Sequence, residues 1–249
     1  MNRETAGIAR QNTFLTAEWQ NLLMLNYEVD PGLLLPRVPA GTELDDFGGR
    51  TFISLIGFEF NNTRVMGVPI PFHRSFLEVN LRFYIRRGER RAVAFICELV
   101  PSQTVASIAR RAFNENYTAV PMSHKVRKSA GGASTCEYAW GEGRDRCVMH
   151  GEISGSASLP EEGSLAQFIT EHYWGYAAQR DGGCLEYQVE HPRWRVWQAS
   201  DAGFKGDSSS FYGPEFSSVF ERKPDSAFLA DGSAVTVSKG IRIQLDFDR

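Results

Sequence analysis

The chain lacks the marks of most readily recognised site classes. Its N-terminal MNRETAGIARQN has no apolar stretch of the kind that opens a secretory signal. No run approaches the roughly 20 apolar residues of a membrane span. Cysteine is scarce and scattered: four residues at 97, 136, 147 and 184 form no CxxC pair and have no local histidine partner. That spacing argues against structural zinc and suits reduced thiols, so the expected setting is the cytoplasm. The triplets Asn61-Asn62-Thr63 and Asn116-Tyr117-Thr118 then carry no glycosylation signal. No HExxH, GxSxG, Walker or GxGxxG element occurs in a suitable context, and five dispersed histidines do not define a metal site. Neither metal nor cofactor is expected. A net charge of −3 supplies no basic field for nucleic acid. The short basic groups Arg86-Arg87, Arg90-Arg91 and Arg110-Arg111 belong on solvated turns and helix faces. No internal repeat and no low-complexity linker divides the chain, which reads as one domain over residues 1–249.

What is present is an ordinary folding composition, 42% hydrophobic, 23% charged and 12% aromatic, enough for a sizeable core. Gly and Pro recur at short intervals, as in β-rich folds. LLMLNYEV (22–29), RTFISLIGFEF (50–60), SFLEVNLRFYIRR (75–87) and RRAVAFICELV (90–100) read as strands, the last two joined as a hairpin at Gly88-Glu89. DPGLLLPRV forms one helical turn, with Asp30 as its cap and Pro31 at its first position. SQTVASIARRAF (102–113) has helical spacing behind a Ser102 cap. Strands return over 121–154, around a GEGRD turn. SLAQFITEHYWGYAA (164–178) reads as a second helix. CLEYQVEHPRWRVW and SAVTVSKGIRIQLDF read as strands, and GDSSSFYG (206–213) as a flexible polar loop. The expected class is mostly β (α+β), with two modest helices.

Side chains alternate between the faces of a strand. Over 76–86, Leu77, Val79, Leu81, Phe83 and Ile85 share a face that must meet a core. The other face holds Phe76, Glu78, Asn80, Arg82, Tyr84 and Arg86. It is either a solvated exterior or the polar lining of a cavity, with Glu78 and Arg82 placed to share a ligand or each other.

FLTAEWQNLLMLNYEVDP, GVPIPFHRSFLEVNLRFYIRR, FNENYTAVPMSHKV, LAQFITEHYWGY, VEHPRWRVW and PDSAFLADGSAVTVSKG together resemble the YqjF-like family. This bacterial domain-of-unknown-function family is grouped with acetoacetate decarboxylase. The stretches span residues 14 to 240. The resemblance implies a β-rich domain whose sheets close into a cone-shaped barrel around a small-molecule cavity, with a glutamate matching Glu78 pointing inside. In acetoacetate decarboxylase a lysine directly after a proline, in a Pro-Lys-Lys run, forms a Schiff base, its pKa depressed by the neighbouring lysine. Here Met122 and Ser123 follow Pro121. The resemblance carries the fold and the pocket but not the nucleophile.

NENYTAVPMSHK (114–125) follows the helix and is expected to wall the cavity. If 121–127 is extended, Met122, His124 and Val126 share an apolar face directed inward, and Lys125 turns outward with Arg127. A one-residue slip would reverse this. Asn114 fits a left-handed helix end, yet it also stands beside Glu115 and Tyr117. The expected ligand-binding set is Glu78, Arg82, Asn114, Glu115, Tyr117 and His124, with Arg82 as counter-charge to a small organic anion. Glu78, Glu115 and His124 are the candidates for acid–base catalysis should the protein be a lyase or isomerase. Lys125 and His73 rank behind them. The crowded His172, Tyr173, Trp174 and Tyr176 suit core or a subunit contact, which leaves a homo-oligomer open. His191, before Pro192, reads as structural. No nucleic-acid or membrane partner is expected.

Overall fold

The computed structural model describes residues 13–128 and 134–244. The N-terminal MNRETAGIARQN and the last residues of the expected C-terminal strand lie outside them. The strands are β1 (Thr13–Val29), β2 (Glu43–Leu44), β3 (Thr51–Val65), β4 (Val68–Pro69), β5 (Phe76–Arg87), β6 (Arg90–Val100), β7 (Tyr117–Ala119) and β8 (Met122–Lys128). They continue with β9 (Ser134–Trp140), β10 (Cys147–Ile153), β11 (Trp174–Ala178), β12 (Cys184–Glu190), β13 (Val196–Lys205), β14 (Ser226–Ser238) and β15 (Ile241–Arg242). The helices are α1 (Gln103–Phe113), α2 (Leu165–Thr170), α3 (Ser209–Tyr212) and α4 (Ser217–Phe220). The protein is mostly β with few helices.

Hydrogen-bonded neighbours run β15-β12-β11-β6-β5-β3-β1-β14-β13-β10-β9-β8, and β12 also pairs directly with β14. That extra pairing, Val189 with Val237 and Glu190 with Thr236, joins the two ends of the run β14-β1-β3-β5-β6-β11-β12. Seven strands therefore pair in a closed circuit. Both faces of these strands are covered. Leu23, Leu25, Leu55, Leu81, Phe83 and Leu99 pack against Cys136, Tyr138, Trp140 and Met149 from β9 and β10. Met24, Phe52, Ile56, Phe58, Phe60, Tyr84 and Val93 pack instead around Phe168, Ile169 and Trp194. The alternation expected in β5 holds, and on its polar face Glu78, Asn80 and Tyr84 are buried, Phe76 and Arg82 partly covered and Arg86 exposed. Gly57 lets the first pair of layers close: a Cβ there would meet the Tyr138 ring at 2.6 Å.

Ser102 caps α1 by accepting from Thr104 N at 3.2 Å, and Asp30 accepts from Gly32 N at 2.6 Å ahead of a 3-10 turn. Two expectations fail. The helix over 164–178 stops at Thr170, and Trp174–Ala178 is strand β11. Its Trp, Tyr and Gly are poor helix material, and Gly175 is required because Tyr187 crosses it: a Cβ would lie 2.3 Å from the Tyr187 ring. GDSSSFYG is not a polar loop either. Asp207 accepts from the backbone and hydroxyl of Ser209, starting α3, which buries Tyr212 in the core. The four cysteines are free and buried, and no helix among the described residues is long and apolar enough to cross a membrane.

Candidate functional site

Glu78 stands on β5 opposite Phe58 of β3, on the face that packs toward Phe168 and Trp194. It is 3% exposed and accepts from Asn80 Nδ2 at 3.0 Å and from the Tyr117 hydroxyl at 3.4 Å. Glu98 on β6 is 2% exposed and pairs in register with Asn80, then with Tyr117 across the parallel strand β7. Glu115 reaches the same place from the segment after α1. The Tyr187 hydroxyl of β12 donates to it at 2.5 Å, and Glu98 hydrogen-bonds it as well. Glu115 and Tyr117 keep some surface as whole residues, but their polar ends turn into this cluster. Three carboxyls and two phenols thus converge from β5, β6, β7, β12 and the helix exit, with no cation among them.

The electrostatic consequence is direct. Burial pushes the Glu78 carboxyl up to about 8, against the Asn80 hydrogen bond, and the Glu115 charge adds to the rise. Glu115 is raised to about 7 by burial, against hydrogen bonds from Tyr187 and Glu98. Glu98 is held well above the carboxylate range by burial and then by the charges of Glu115 and Glu78. Burial and these carboxyls keep Tyr117 and Tyr187 firmly protonated. The cluster holds protons at neutral pH and titrates as one unit.

A second polar group lies further along the same face. Arg82 donates to Ile169 O at 2.9 Å and lies over the Tyr84 ring. His172 is 7% exposed and packs between Tyr84 and Phe168. Burial and then the charges of Arg82 and Arg91 drive its pKa well below the usual range, so it is neutral. Asn26, Ser54 and Tyr84 form a satisfied hydrogen-bonded row beside them. Several buried polar atoms on this face have no partner, Asn80 Oδ1, Arg82 Nε and Glu98 Oε2, and the His172 ring finds only the Ile169 carbonyl that Arg82 also uses.

The structure therefore brings Glu78, Glu115 and Tyr117 together and sets Arg82 on their face. Asn114 is the left-handed end of α1, with φ 58°, and its amide reaches only Ala178 O at 3.4 Å. His124 is elsewhere. Its parity on β8 matches expectation, but it stacks on Tyr138 and meets Glu59 at 3.3 Å. Glu59 pairs with Leu77, so it and His124 occupy the opposite face from Glu78. β8 pairs with β9 in the second layer, and sheet thickness separates it from the carboxyls. Lys125 is exposed, 4.0 Å from Glu137, and His73 contacts Ser102 at 3.4 Å. Glu98, Tyr187 and His172 were not anticipated. A cavity of about 840 Å³ opens on the other side of β1 and β14, lined by Trp19, Trp197, Leu229 and Gly232. Chemistry rather than volume marks the candidate site, because the buried carboxyls with raised pKa values, and the carboxyl, amide and guanidinium atoms that lack partners, are on the Glu78 face.

The family model for DUF2071, described as an uncharacterized conserved protein, matches residues 16–234. The chain belongs to this family. The uncharacterized protein YqjF of Bacillus subtilis (strain 168) is 27% identical over 186 residues, covering 73% of this chain and 74% of its relative. Among solved structures, the enduracididine biosynthesis enzyme MppR complexed with pyruvate superposes with a TM-score of 0.69 at 12% identity, over 93% of this chain and 91% of that one. An acetoacetate decarboxylase-like enzyme from Sphingomonas wittichii RW1 gives 0.64 at 10% identity, over 94% of each chain. Acetoacetate decarboxylase from Legionella pneumophila gives 0.64 at 10%, over 94% of this chain and 88% of that one. At such identities the likeness is one of fold. The DUF2071 chain thus has an acetoacetate decarboxylase-like fold.

Proposed function

We propose that the closed circuit of strands is a cone-shaped barrel whose interior is the Glu78 face, and that it binds a small organic acid. One observation carries this reading: the polar atoms of Asn80, Arg82 and Glu98 that lack partners all lie on that face, each residue well covered by protein. A buried polar group without a partner costs about 1–3 kcal/mol, more for a charge. A ligand supplying the missing partners offsets that cost. Arg82 provides the counter-charge, and the protonated carboxyls and phenols donate to the ligand's oxygens. That a similarly folded protein is complexed with pyruvate supports the choice of ligand size.

A second reading has its own support. Glu115 and Glu78 titrate at about 7 and about 8, which suits one as base and the other as acid near neutrality. The corresponding reaction is proton transfer on a carbonyl compound, as in a lyase or isomerase. An imine is not part of it. Lys125, Lys205, Lys223 and Lys239 are all exposed, and no lysine side chain among the described residues lies on the Glu78 face.

The test is a thermal-shift series with acetate, pyruvate, acetoacetate and 2-oxobutyrate on wild type and Glu78→Gln. Stabilisation of wild type that Glu78→Gln weakens supports the ligand site; equal response of both proteins removes it. Borohydride added with acetoacetate should leave the mass unchanged.

A further inference from the structure

Two groups on the Glu78 face remain unexplained by the carboxyl cluster. Arg82 lies four residues from Glu78 along β5, about 13 Å of strand. One terminal nitrogen serves Ile169 O, whereas the buried Nε has no acceptor. Among the described residues no carboxylate comes within ion-pair distance of Arg82, whereas Arg37, likewise only partly covered, pairs with Glu215, and the exposed Arg91 pairs with Asp45 at 2.7 Å. His172 sits against the same Tyr84 ring, at 4.9 Å between centroids, and the one acceptor its ring finds is the Ile169 carbonyl that Arg82 already uses. A neutral imidazole always carries one N–H. The molecule therefore holds two adjacent donor groups, one cationic and one neutral, that share a single carbonyl acceptor and leave Arg82 Nε without one.

The neighbours do not fill that need. Tyr84 is committed to Ser54, and Ser54 to Asn26. Arg91 is turned to Asp45 and lies over Phe168. Two donor groups short of acceptors match the two oxygens of a single carboxylate, and one cation matches its single charge. A phosphate would ask for more: the second cation whose charge reaches His172, Arg91, is already paired with Asp45. Between the two centres, Asn80 Oδ1 is an unused acceptor, 4% exposed as a residue.

We infer that Arg82 and His172 form a carboxylate subsite, and that the ligand class is short monocarboxylic acids. The inference rests on the reading of the Glu78 face as a ligand site. His172 is then a specificity residue, reading an acceptor oxygen through its N–H while Arg82 neutralises the charge.

The experiment uses the full chain labelled with 15N in histidine and 13C in the glutamate carboxyl, titrated with pyruvate, methyl pyruvate and inorganic phosphate. Pyruvate should shift the two His172 nitrogen signals. Methyl pyruvate, which lacks the charge, should bind about tenfold or more weakly, the worth of one charge-assisted hydrogen bond. His172→Phe should weaken pyruvate about tenfold and leave methyl pyruvate unchanged, and the wild-type nitrogen signals report even if this variant folds poorly. Pyruvate that moves the carboxyl signals while the His172 nitrogens stay still overturns the subsite but leaves the ligand site standing. Phosphate that shifts His172 where pyruvate does not overturns the carboxylate class. No response of either centre to pyruvate or methyl pyruvate at millimolar concentration overturns both readings.

Discussion

Glu59 and Glu78 are neighbours across β3 and β5, one pairing step apart and on opposite faces of the sheet. Glu59 accepts from Asn21 at 2.6 Å, meets His124 at 3.3 Å and keeps part of its surface. Glu78 has lost nearly all contact with water, and its partners are an amide, a phenol and, close by, two more carboxyls. One face gives its carboxylate polar and basic company; the other gives its carboxylate only competitors for the same proton. Burying an ion without a counter-ion is expensive, and a carboxyl escapes the expense by holding its proton. The Glu59 face is held together as structure. The Glu78 face stores a cost that only a ligand, a proton or a substitution can relieve.

The comparison is broken hardest by adding volume. Gly175→Val would thrust a side chain into the ring and hydroxyl of Tyr187, which holds Glu115. Overpacking of this kind should cost about 2–3 kcal/mol. Gly57→Ala, on the opposite face against Tyr138, should cost a similar amount. Urea denaturation measures both losses. Carboxyl NMR separates them: only the Gly175 change should move the Glu115 titration. Identical carboxyl titrations in the two variants would show that Tyr187 does not set the cluster.

Removing one ionisable group comes next. The folded-state values of about 8 for Glu78 and about 7 for Glu115 exceed that of a free glutamate, so the folded protein binds more protons than the unfolded chain above about pH 4.5. Stability then falls as pH rises from about 4.5 to 8, and is fully retained only below that window. Glu98→Gln keeps the shape and removes a group that folding forces to hold a proton, so it should flatten the decline and stabilise the protein at pH 8 by about 1–3 kcal/mol. Glu59→Gln should leave the slope as it was. A slope indifferent to Glu98→Gln would mean that the cluster does not control it.

A smaller effect lies on the other face. His124→Ala loses the Tyr138 stacking and the Glu59 contact, at about 1 kcal/mol. It should leave binding of pyruvate or any acid of the series untouched. Lys125→Ala should stay within about 0.5 kcal/mol of wild type. Loss of ligand response in His124→Ala would erase the distinction between the faces.

The sequence made β5 legible because its alternation is uninterrupted, and with it Glu78 and Arg82. Glu98 was out of reach for a definite reason. A two-residue hairpin at Gly88-Glu89 with regular pairing would set Glu98 opposite Val79, on the apolar face. The ladder slips between Leu81 and Arg82, where Ile96 is left without a partner on β5. That bulge turns Glu98 over to Asn80. His124 shows the converse: its parity was readable, but which layer β8 joins depends on pairing with β9, a matter of tertiary contact. Tyr187 and His172 arrive through the parallel contact of Gly175 with Val93, far apart in sequence and carrying no local signal.

The smallest effect concerns how Glu115 is delivered. Asn114 ends α1 in the left-handed region, its amide contributing one long hydrogen bond to Ala178 O. Glycine adopts that conformation without cost, so Asn114→Gly should change stability by no more than about 0.5 kcal/mol. A β-branched residue cannot sit there easily, and Asn114→Val should lose about 1–2 kcal/mol. The difference separates backbone from side chain. If Asn114 matters only because its backbone turns the chain toward Tyr187, the glycine variant will keep the Glu115 titration near 7 and an unchanged response to pyruvate. The valine variant, by straining the turn, will shift both. A glycine variant that folds normally yet loses pyruvate binding would instead make the Asn114 amide part of the site.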